Sequence, residues 1–333
     1  MAKKKKNKGS KKGKAAPLVL KEGVVTRSTG SWYNVKLEDG SVLECKLRGR
    51  FRNEVFKSTN PVAVGDRVRI SVEEEVGLIR EMLPRRNYVL RKAVNLSRRV
   101  HILCSNIDQA LILFTLTQPV TTLGYIDRLL VICEAYGVPT VLLFNKVDLV
   151  KEDGLEAKLE EFKAVYEAAG YPCIALDATD PDYREKLQDL LRDKTSFVVG
   201  RSGAGKSTVI NLADPSLDLK TGNISDWSSR GKHTTVYAEM FDLAFGGAII
   251  DSPGFKEMEI VTIEKGELTH YFPDLKEFSN DCKFYNCIHR TEPHCAVKEA
   301  VKAGKLAESR YHTYLSMLAE IEANEDKYGA RQM

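Results

Sequence analysis

The chain has 333 residues, 43% of them apolar, which exceeds a typical domain of ~100–200 residues and supplies enough material for more than one core. No apolar run approaches the ~18–20 residues of a membrane span, and none follows the N-terminal charges, so neither a membrane helix nor a signal peptide is expected and a cytoplasmic location follows. The net charge of +4 is uneven: residues 1–17 hold eight lysines and no acid, whereas the other 316 carry 42 basic and 46 acidic side chains.

A segment of Lys, Gly, Ser and Asn buries too little apolar area to offset chain entropy, so residues 1–17 are expected to be a disordered tail. Its charge suits a phosphate backbone, or serves solubility alone. From 18 to 83 short alternating segments follow: Gly23–Thr26, Trp32–Leu37, Val42–Leu47, Asp66–Val72 and Gly77–Arg80, punctuated by Asp39-Gly40 and Val64-Gly65. Five such strands predict a small all-β barrel, with the OB-fold favoured because its face presents aromatic and basic groups to nucleic acid. Trp32, Tyr33, Arg48, Arg50, Phe51, Arg52, Arg67 and Arg69 are available for that role, although for any single aromatic such as Trp32 or Phe56 barrel core is the commoner role. Residues 84–101 form a basic connector with Arg85, Arg86, Arg91, Lys92, Arg98 and Arg99, suited either to tracking phosphates or to solvation.

Strands and helices then alternate, which predicts a parallel sheet covered on both faces. Strands are expected at Gln109–Leu116, Thr140–Phe144 and Pro172–Leu176, and helices at Leu123–Tyr136, Glu152–Ala169 and Asp182–Leu191. Asn145-Lys-Val-Asp148 follows one of these strands, at the carboxyl edge where open α/β sheets bind ligands. After the strand-like Thr195–Val199 comes Gly200-Arg-Ser-Gly-Ala-Gly-Lys-Ser-Thr208, a GxxxxGK[ST] loop in its strand–loop–helix setting. Its glycines let backbone N–H groups of Gly200, Arg201, Ser202, Gly203, Ala204, Gly205, Lys206, Ser207 and Thr208 surround phosphates. Lys206 reaches the terminal phosphates, and the Ser207 hydroxyl can ligate Mg²⁺. With this loop present, Asp148 is expected to accept both guanine N–H groups while Asn145 and Lys146 brace and cover the base, so the nucleotide is GTP. The Leu176-Asp-Ala-Thr179 stretch contributes the Ala178 N–H as a further base contact.

Between about Ser216 and the predicted strand Val236–Phe241 lies a polar loop with Gly231-Lys-His-Thr-Thr235. A threonine here can complete the Mg²⁺ shell when the γ-phosphate is present; Thr235 is preferred over Thr234. Asp251-Ser-Pro-Gly254 follows the apolar Ala248–Ile250, placing Asp251 to hold Mg²⁺ and the Gly254 N–H near the γ-phosphate. The next residue is Phe255, which cannot orient a water, so hydrolysis without a partner should be slow and His233 is the nearest polar candidate for that task. The order of motifs, 145 then 200 then 251, is that of a circularly permuted GTPase domain. Finally, Cys282, Cys287 and Cys295 with His289 or His294 suit a closed tetrahedral Zn²⁺ site, followed by helical stretches Ala296–Ala303 and Leu306–Tyr328. Cys45, Cys104, Cys133 and Cys173 stand singly and are expected to be free thiols.

A barrel, a permuted GTPase and a cysteine cluster, in that order from Leu18 onward, resemble the RsgA (YjeQ) family of ribosome-assembly GTPases. The resemblance implies an all-β OB-fold barrel at 18–83, a circularly permuted α/β P-loop GTPase domain at 102–258, and a zinc-binding α-helical segment at 259–333. The family's CxxxxCxHxxxxxC spacing favours His289 as the fourth zinc ligand. The implied partner is the small ribosomal subunit with its rRNA, contacted by barrel and zinc segment by a protein acting as a monomer. GTP hydrolysis would then permit release after late maturation, with His233 positioning water. The alternatives are a GTP switch on another RNA or translation complex, and a GTP-gated binder whose hydrolysis is incidental. Because the DxxG segment leads directly into the zinc segment, reordering of 254–258 by the γ-phosphate would set the posture of that unit.

Overall fold

The computed structural model describes residues 19–47, 61–73, 75–92, 100–219, 238–251 and 263–329. The lysine tail, Arg48, Arg50, Phe51, Arg52, Phe56, Arg98, Arg99, the loop with His233, Thr234 and Thr235, and Gly254 with Phe255 lie outside these residues. Among the described residues no helix is long and apolar enough to cross a membrane.

Five strands, β1 (Lys21–Ser28), β2 (Trp32–Leu37), β3 (Val42–Leu47), β4 (Arg67–Glu73) and β5 (Val76–Met82), close into an OB-like barrel. β1 pairs with both β2 and β4, and β3 pairs in parallel with β5. Closure brings backbones close: a Cβ at Gly23 would meet the Lys36 carbonyl at 2.6 Å. Period-two alternation turns Val25, Tyr33, Val35, Leu37, Val68, Ile70 and Ile79 inward. Tyr33 therefore belongs to the core and not to a binding face, because it alternates with Trp32. Trp32 faces outward, with the Lys46 ammonium 3.8 Å from its ring centroid. Arg67 and Arg69 are paired with Glu22, and Arg69 also with Glu81.

The connector is not a bare linker. β6 (Tyr88–Lys92) and β7 (Val100–Ser105) form a two-stranded antiparallel sheet. Arg85 is bound to buried Asp66 through two hydrogen bonds of 2.6 Å, so it is unavailable to phosphates. Arg86 pairs with Asp108 at 2.7 Å.

Six further strands, β8 (Gln109–Phe114), β9 (Thr140–Asn145), β10 (Cys173–Leu176), β11 (Thr195–Gly200), β12 (Glu239–Asp242) and β13 (Ala248–Asp251), take the order β10-β9-β8-β11-β13-β12. All are parallel except β12. β8 and β9 are buried along their whole length, as strands with both faces covered must be. One face packs under α1 (Leu123–Ala135) and α3 (Glu156–Ala168), the other under α4 (Arg184–Leu191) and α5 (Lys206–Ala213). The helix expected over 152–169 begins later, as α3 at Glu156, and a separate short helix, α2 (Val147–Glu152), precedes it and ends before Gly154, whose φ is +63°. β1 continues the sheet past β12 through the pair Arg27↔Glu239.

The C-terminal unit comprises α6 (Pro273–Ser279), α7 (Ala296–Lys302) and α8 (Glu308–Gly329). Its core includes Phe272, Leu275, Val297, Tyr314, Leu318 and Ile321 and takes in Val131 of α1. Arg310 of α8 is 1% exposed. It donates to both oxygens of Asp274 at 2.9 and 2.8 Å and to Asp127 of α1 at 2.7 Å. Beside Asp127 on α1, Arg128 forms a bidentate pair with Glu320, further along α8, at 2.9 and 2.6 Å. Replacing Arg310 by Ala leaves two buried carboxylates without their counter-charge and is expected to destabilise the C-terminal unit by ~3–5 kcal/mol. Urea unfolding and limited proteolysis read this loss; an unchanged midpoint would mean that the triad carries no net stability.

Candidate nucleotide and metal sites

The chain winds outward from the sheet centre in both directions, β8-β9-β10 one way and β11-β13-β12 the other. The crevice at this switch lies over the carboxyl ends of β8 and β11, where such sheets bind ligands. Gly200 ends β11, and α5 begins at Lys206, so the intervening loop presents its N–H groups at a helix N-terminus. Gly203 and Gly205 have φ of +83° and +96°, values that favour glycine. Lys206 curls into the loop, donating to the carbonyls of Gly200 at 2.8 Å and Arg201 at 3.1 Å. Burial lowers its pKa while the charge of Asp251 opposes that shift. Ser207 is buried at the start of α5, and Asp251 is buried at the end of β13, beside Val198 of the P-loop strand. Ser207 and Asp251 could hold a divalent cation against the phosphates that the loop would bind. Arg201 and Ser202 are exposed, and Thr208 is half-buried.

Asn145 ends β9 and joins the two halves of the crevice. Its Nδ2 donates to the Ala204 carbonyl at 2.9 Å, and its Oδ1 accepts from the Ala178 N–H at 3.1 Å. The Ala178 N–H, expected to face a base, is thus engaged by Asn145. Lys146 adopts a left-handed conformation, φ +66°, and its ammonium donates to the Gln118 carbonyl. Asp148 opens α2, and its Oδ1 is buried with no hydrogen-bond partner. A buried carboxylate oxygen lacking a donor costs free energy unless a ligand supplies one, and the N–H edge of guanine is such a donor.

One wall of the crevice escaped the motif reading. The loop Thr115–Thr121 after β8 accepts Lys146 at Gln118 and Arg201 at Val120. Pro119 packs over Gly203, with its Cδ 3.4 Å from where a Cβ would stand. The loop is tied to itself by the Thr115 hydroxyl, which donates to the Pro119 carbonyl at 2.6 Å. The signal was present in position alone: a Gln-Pro turn directly after a central strand, at the carboxyl edge.

In the C-terminal unit the ligand atoms of Cys282, Cys287, His289 and Cys295 all lie within 4.8 Å of one another. The Cys282 and Cys295 Sγ atoms are 3.9 Å apart, and His289 Nδ1 is 3.5 and 3.4 Å from them. A tetrahedral zinc with Zn–S of about 2.3 Å and Zn–N of about 2.0–2.1 Å requires edges of roughly 3.8 and 3.5 Å. The four residues therefore fit one zinc ion, with Nδ1 as the nitrogen donor; His294 is exposed and is not in the cluster. Burial raises the Cys287 thiol to about 12 and lowers the His289 pKa. The turn is locked from behind: the Tyr311 hydroxyl donates to the His289 carbonyl at 2.7 Å, and the Tyr314 hydroxyl to the Ile288 carbonyl at 3.0 Å. Glu292 accepts from the N–H groups of Ile288, Arg290 and Thr291 at 2.8, 2.8 and 3.0 Å.

A P-loop strand at the centre, an NKxD strand preceding it in the chain, and a barrel in front define a circularly permuted P-loop GTPase. The RsgA GTPase profile matches residues 82–261, and the RsgA N-terminal domain profile matches residues 22–79. The chain is 47% identical over 315 residues to the small ribosomal subunit biogenesis GTPase RsgA of Christiangramia forsetii, covering 93% of this chain and 99% of that one. Two solved structures share the fold. YjeQ from Thermotoga maritima has a TM-score of 0.74 at 35% identity, covering 91% of this chain and 99% of its own. The circularly permuted GTPase YloQ has a TM-score of 0.70 at 30% identity, covering 92% and 96%. The chain belongs to the RsgA GTPase family.

A Cβ at Gly205 would stand 2.3 Å from Asn145 Nδ2 on a backbone that side chains rarely adopt. Gly205→Ala is therefore expected to weaken GTP and GDP by about tenfold or more, the scale of ~1–3 kcal/mol of strain; equal affinity in an equilibrium titration would detach Asn145 from the site. For the cysteine cluster, elemental analysis of chelator-free protein should find one zinc per chain, lost in Cys287→Ser. Metal-free wild type would count against the site.

Proposed function

We propose that the protein binds GTP across the crevice and hydrolyses it during late maturation of the small ribosomal subunit, with hydrolysis permitting its own release. The observation that carries this reading is Asn145, one side chain holding the P-loop and the base loop together beside a buried, partnerless Asp148 Oδ1. Gly200–Thr208 cradle the phosphates, with Lys206 neutralising them. Mg²⁺ is held by Ser207, Asp251 and Thr235, and the Gly254 N–H meets the γ-phosphate. Asp148 reads the guanine edge, Lys146 covers the ring, and the Ala178 N–H reaches the base by exchanging its bond to Asn145. His233 positions the attacking water once a partner orders its loop. Zinc in the Cys282/Cys287/His289/Cys295 cluster stabilises the C-terminal turn. The partner is the subunit's rRNA, met by the barrel, where half-buried Trp32 and exposed Lys46 form an aromatic–cation pair, and by the zinc-binding turn. The names of the relatives support the subunit assignment. The protein acts as a cytoplasmic monomer.

Single-turnover GTPase rates with isolated small subunits, large subunits and bulk RNA test the reading. Stimulation is expected from small subunits alone, and equal rates in all three arms would remove that partner. In the same assay His233→Ala should lose roughly 10²-fold of the stimulated rate with GTP affinity retained. Asp148→Asn should weaken GTP and favour xanthosine triphosphate, since the amide matches a 2-oxo base; undiminished GTP affinity would remove Asp148 from the base site.

A further inference from the structure

The zinc-binding turn displays two adjacent aromatics that the fold does not use. Tyr285 is 101% exposed and Phe284 is 40% exposed, and they are the two aromatics among the large apolar side chains exposed in the described residues. The segment carrying them is short and held at both ends by the cluster cysteines, Cys282 and Cys287. It is tightened further where the Cys287 N–H donates to the Phe284 carbonyl at 3.2 Å. A ring on so constrained a turn is pre-oriented and loses little freedom when something stacks on it.

The surrounding charge selects the partner. Between 281 and 298 the acids are Asp281 and Glu292, and the bases are Lys283, Arg290 and Lys298. Glu292 is turned back onto three backbone N–H groups, so its charge is engaged within the turn. Arg290 pairs with Glu322 at 2.7 Å. Lys283 is exposed, with its ammonium 5.8 Å from the Phe284 centroid, directly beside the rings. A flat apolar face with an adjoining cation suits a base and its phosphate.

We infer that Tyr285, flanked by Phe284 and Lys283, is a stacking platform for an unpaired nucleotide of RNA. This rests on the rRNA reading above and names the contact that the turn makes. The stack and the phosphate contact separate by salt dependence, because stacking releases no counterions whereas a lysine–phosphate contact does.

Binding of wild type, Tyr285→Ala, Tyr285→Leu, Tyr285→Phe and Lys283→Ala to isolated small subunits is measured across a salt series. Tyr285→Ala and Tyr285→Leu are expected to bind about 5- to 100-fold more weakly, the range of one lost base–aromatic stack, with the slope of log K against log salt unchanged. Tyr285→Phe should stay within about twofold of wild type, since its ring is retained. Lys283→Ala should lower the slope by about 0.7–0.9, one phosphate contact. Zinc content and the GTPase rate without subunits should match wild type in every variant. A photo-crosslinking residue at position 285 should label rRNA. Wild-type affinity in Tyr285→Ala, retained affinity in Tyr285→Leu, or a crosslink to ribosomal protein would each overturn the stacking platform. Failure of wild type itself to bind small subunits would instead overturn the parent reading, and the platform with it.

Discussion

Arg310 fixes the arrangement of the C-terminal half. A guanidinium 1% exposed between two carboxylates is tolerable because each of its three nitrogens donates to a carboxylate oxygen, and the planar fork of arginine meets Asp274 with two bonds where lysine would offer a single point charge. The Phe272 ring, 4.7 Å from the guanidinium, covers its face. The Tyr166 hydroxyl donates to the same Asp127 oxygen at 3.0 Å, so α3 joins the network as well. The following residues on α8, Tyr311 and Tyr314, hold the carbonyls of the cysteine turn. One helical turn thus both docks the unit onto α1 and shapes the cysteine cluster.

That docking gives the permutation a second mechanical reading. The direct chain connection from Asp251 toward the zinc segment runs through residues outside the described set. The described contacts take another course. The loop Thr115–Thr121 touches both the P-loop and Lys146, α1 begins directly after it, and Asp127 and Arg128 of α1 bind α8. Nucleotide crevice, helix α1, helix α8 and cysteine turn are therefore contiguous packed elements. Moving the chain termini leaves the sheet order unchanged, because strand adjacency is set by packing and hydrogen bonding, not by where the chain is cut.

Much of this was legible because the signals were local. Barrel strands alternate with period two, and the parallel strands are apolar runs bounded by turns, so both stood out. Asn145, Lys206, Asp251 and the cysteines lie in motifs whose spacing is dictated by the ligand. What escaped reading depends on partners distant in sequence. Arg85 stood in a connector suited to phosphates or to solvation, and only the fold brings Asp66 to it. Tyr33 and Trp32 are equivalent by composition, and the barrel's curvature decides which faces in. Gly154 should have moved the start of the helix expected from 152 to beyond it, but a lone glycine in a polar helical pattern is a weak stop. α6 announces itself only by Pro273 at its first position.

Among the described residues the barrel is joined at Asp66 to β7 and the residue after it, and at β1 to strand β12 of the GTPase sheet, two joints of unequal strength. At one, buried Asp66 accepts from Arg85, from the Ser105 hydroxyl at 2.6 Å and from the Ala63 N–H at 2.8 Å. Asn106 adds a bond to the Gly65 carbonyl at 2.9 Å. Removing one partner from such a buried pair costs ~3–5 kcal/mol. At the other, β1 meets β12 through one residue pair and exposed charges, Arg27 with Glu239 at 3.9 Å and Lys36 with Asp242 at 2.6 Å. Ion pairs of that kind contribute about 0–1 kcal/mol each. The weaker joint is the one nearer the nucleotide: Glu239 pairs across β12 and β13 with Asp251. Load on the barrel is thus borne at Asp66, far from the crevice in strand order, while the edge beside Asp251 holds it with little free energy.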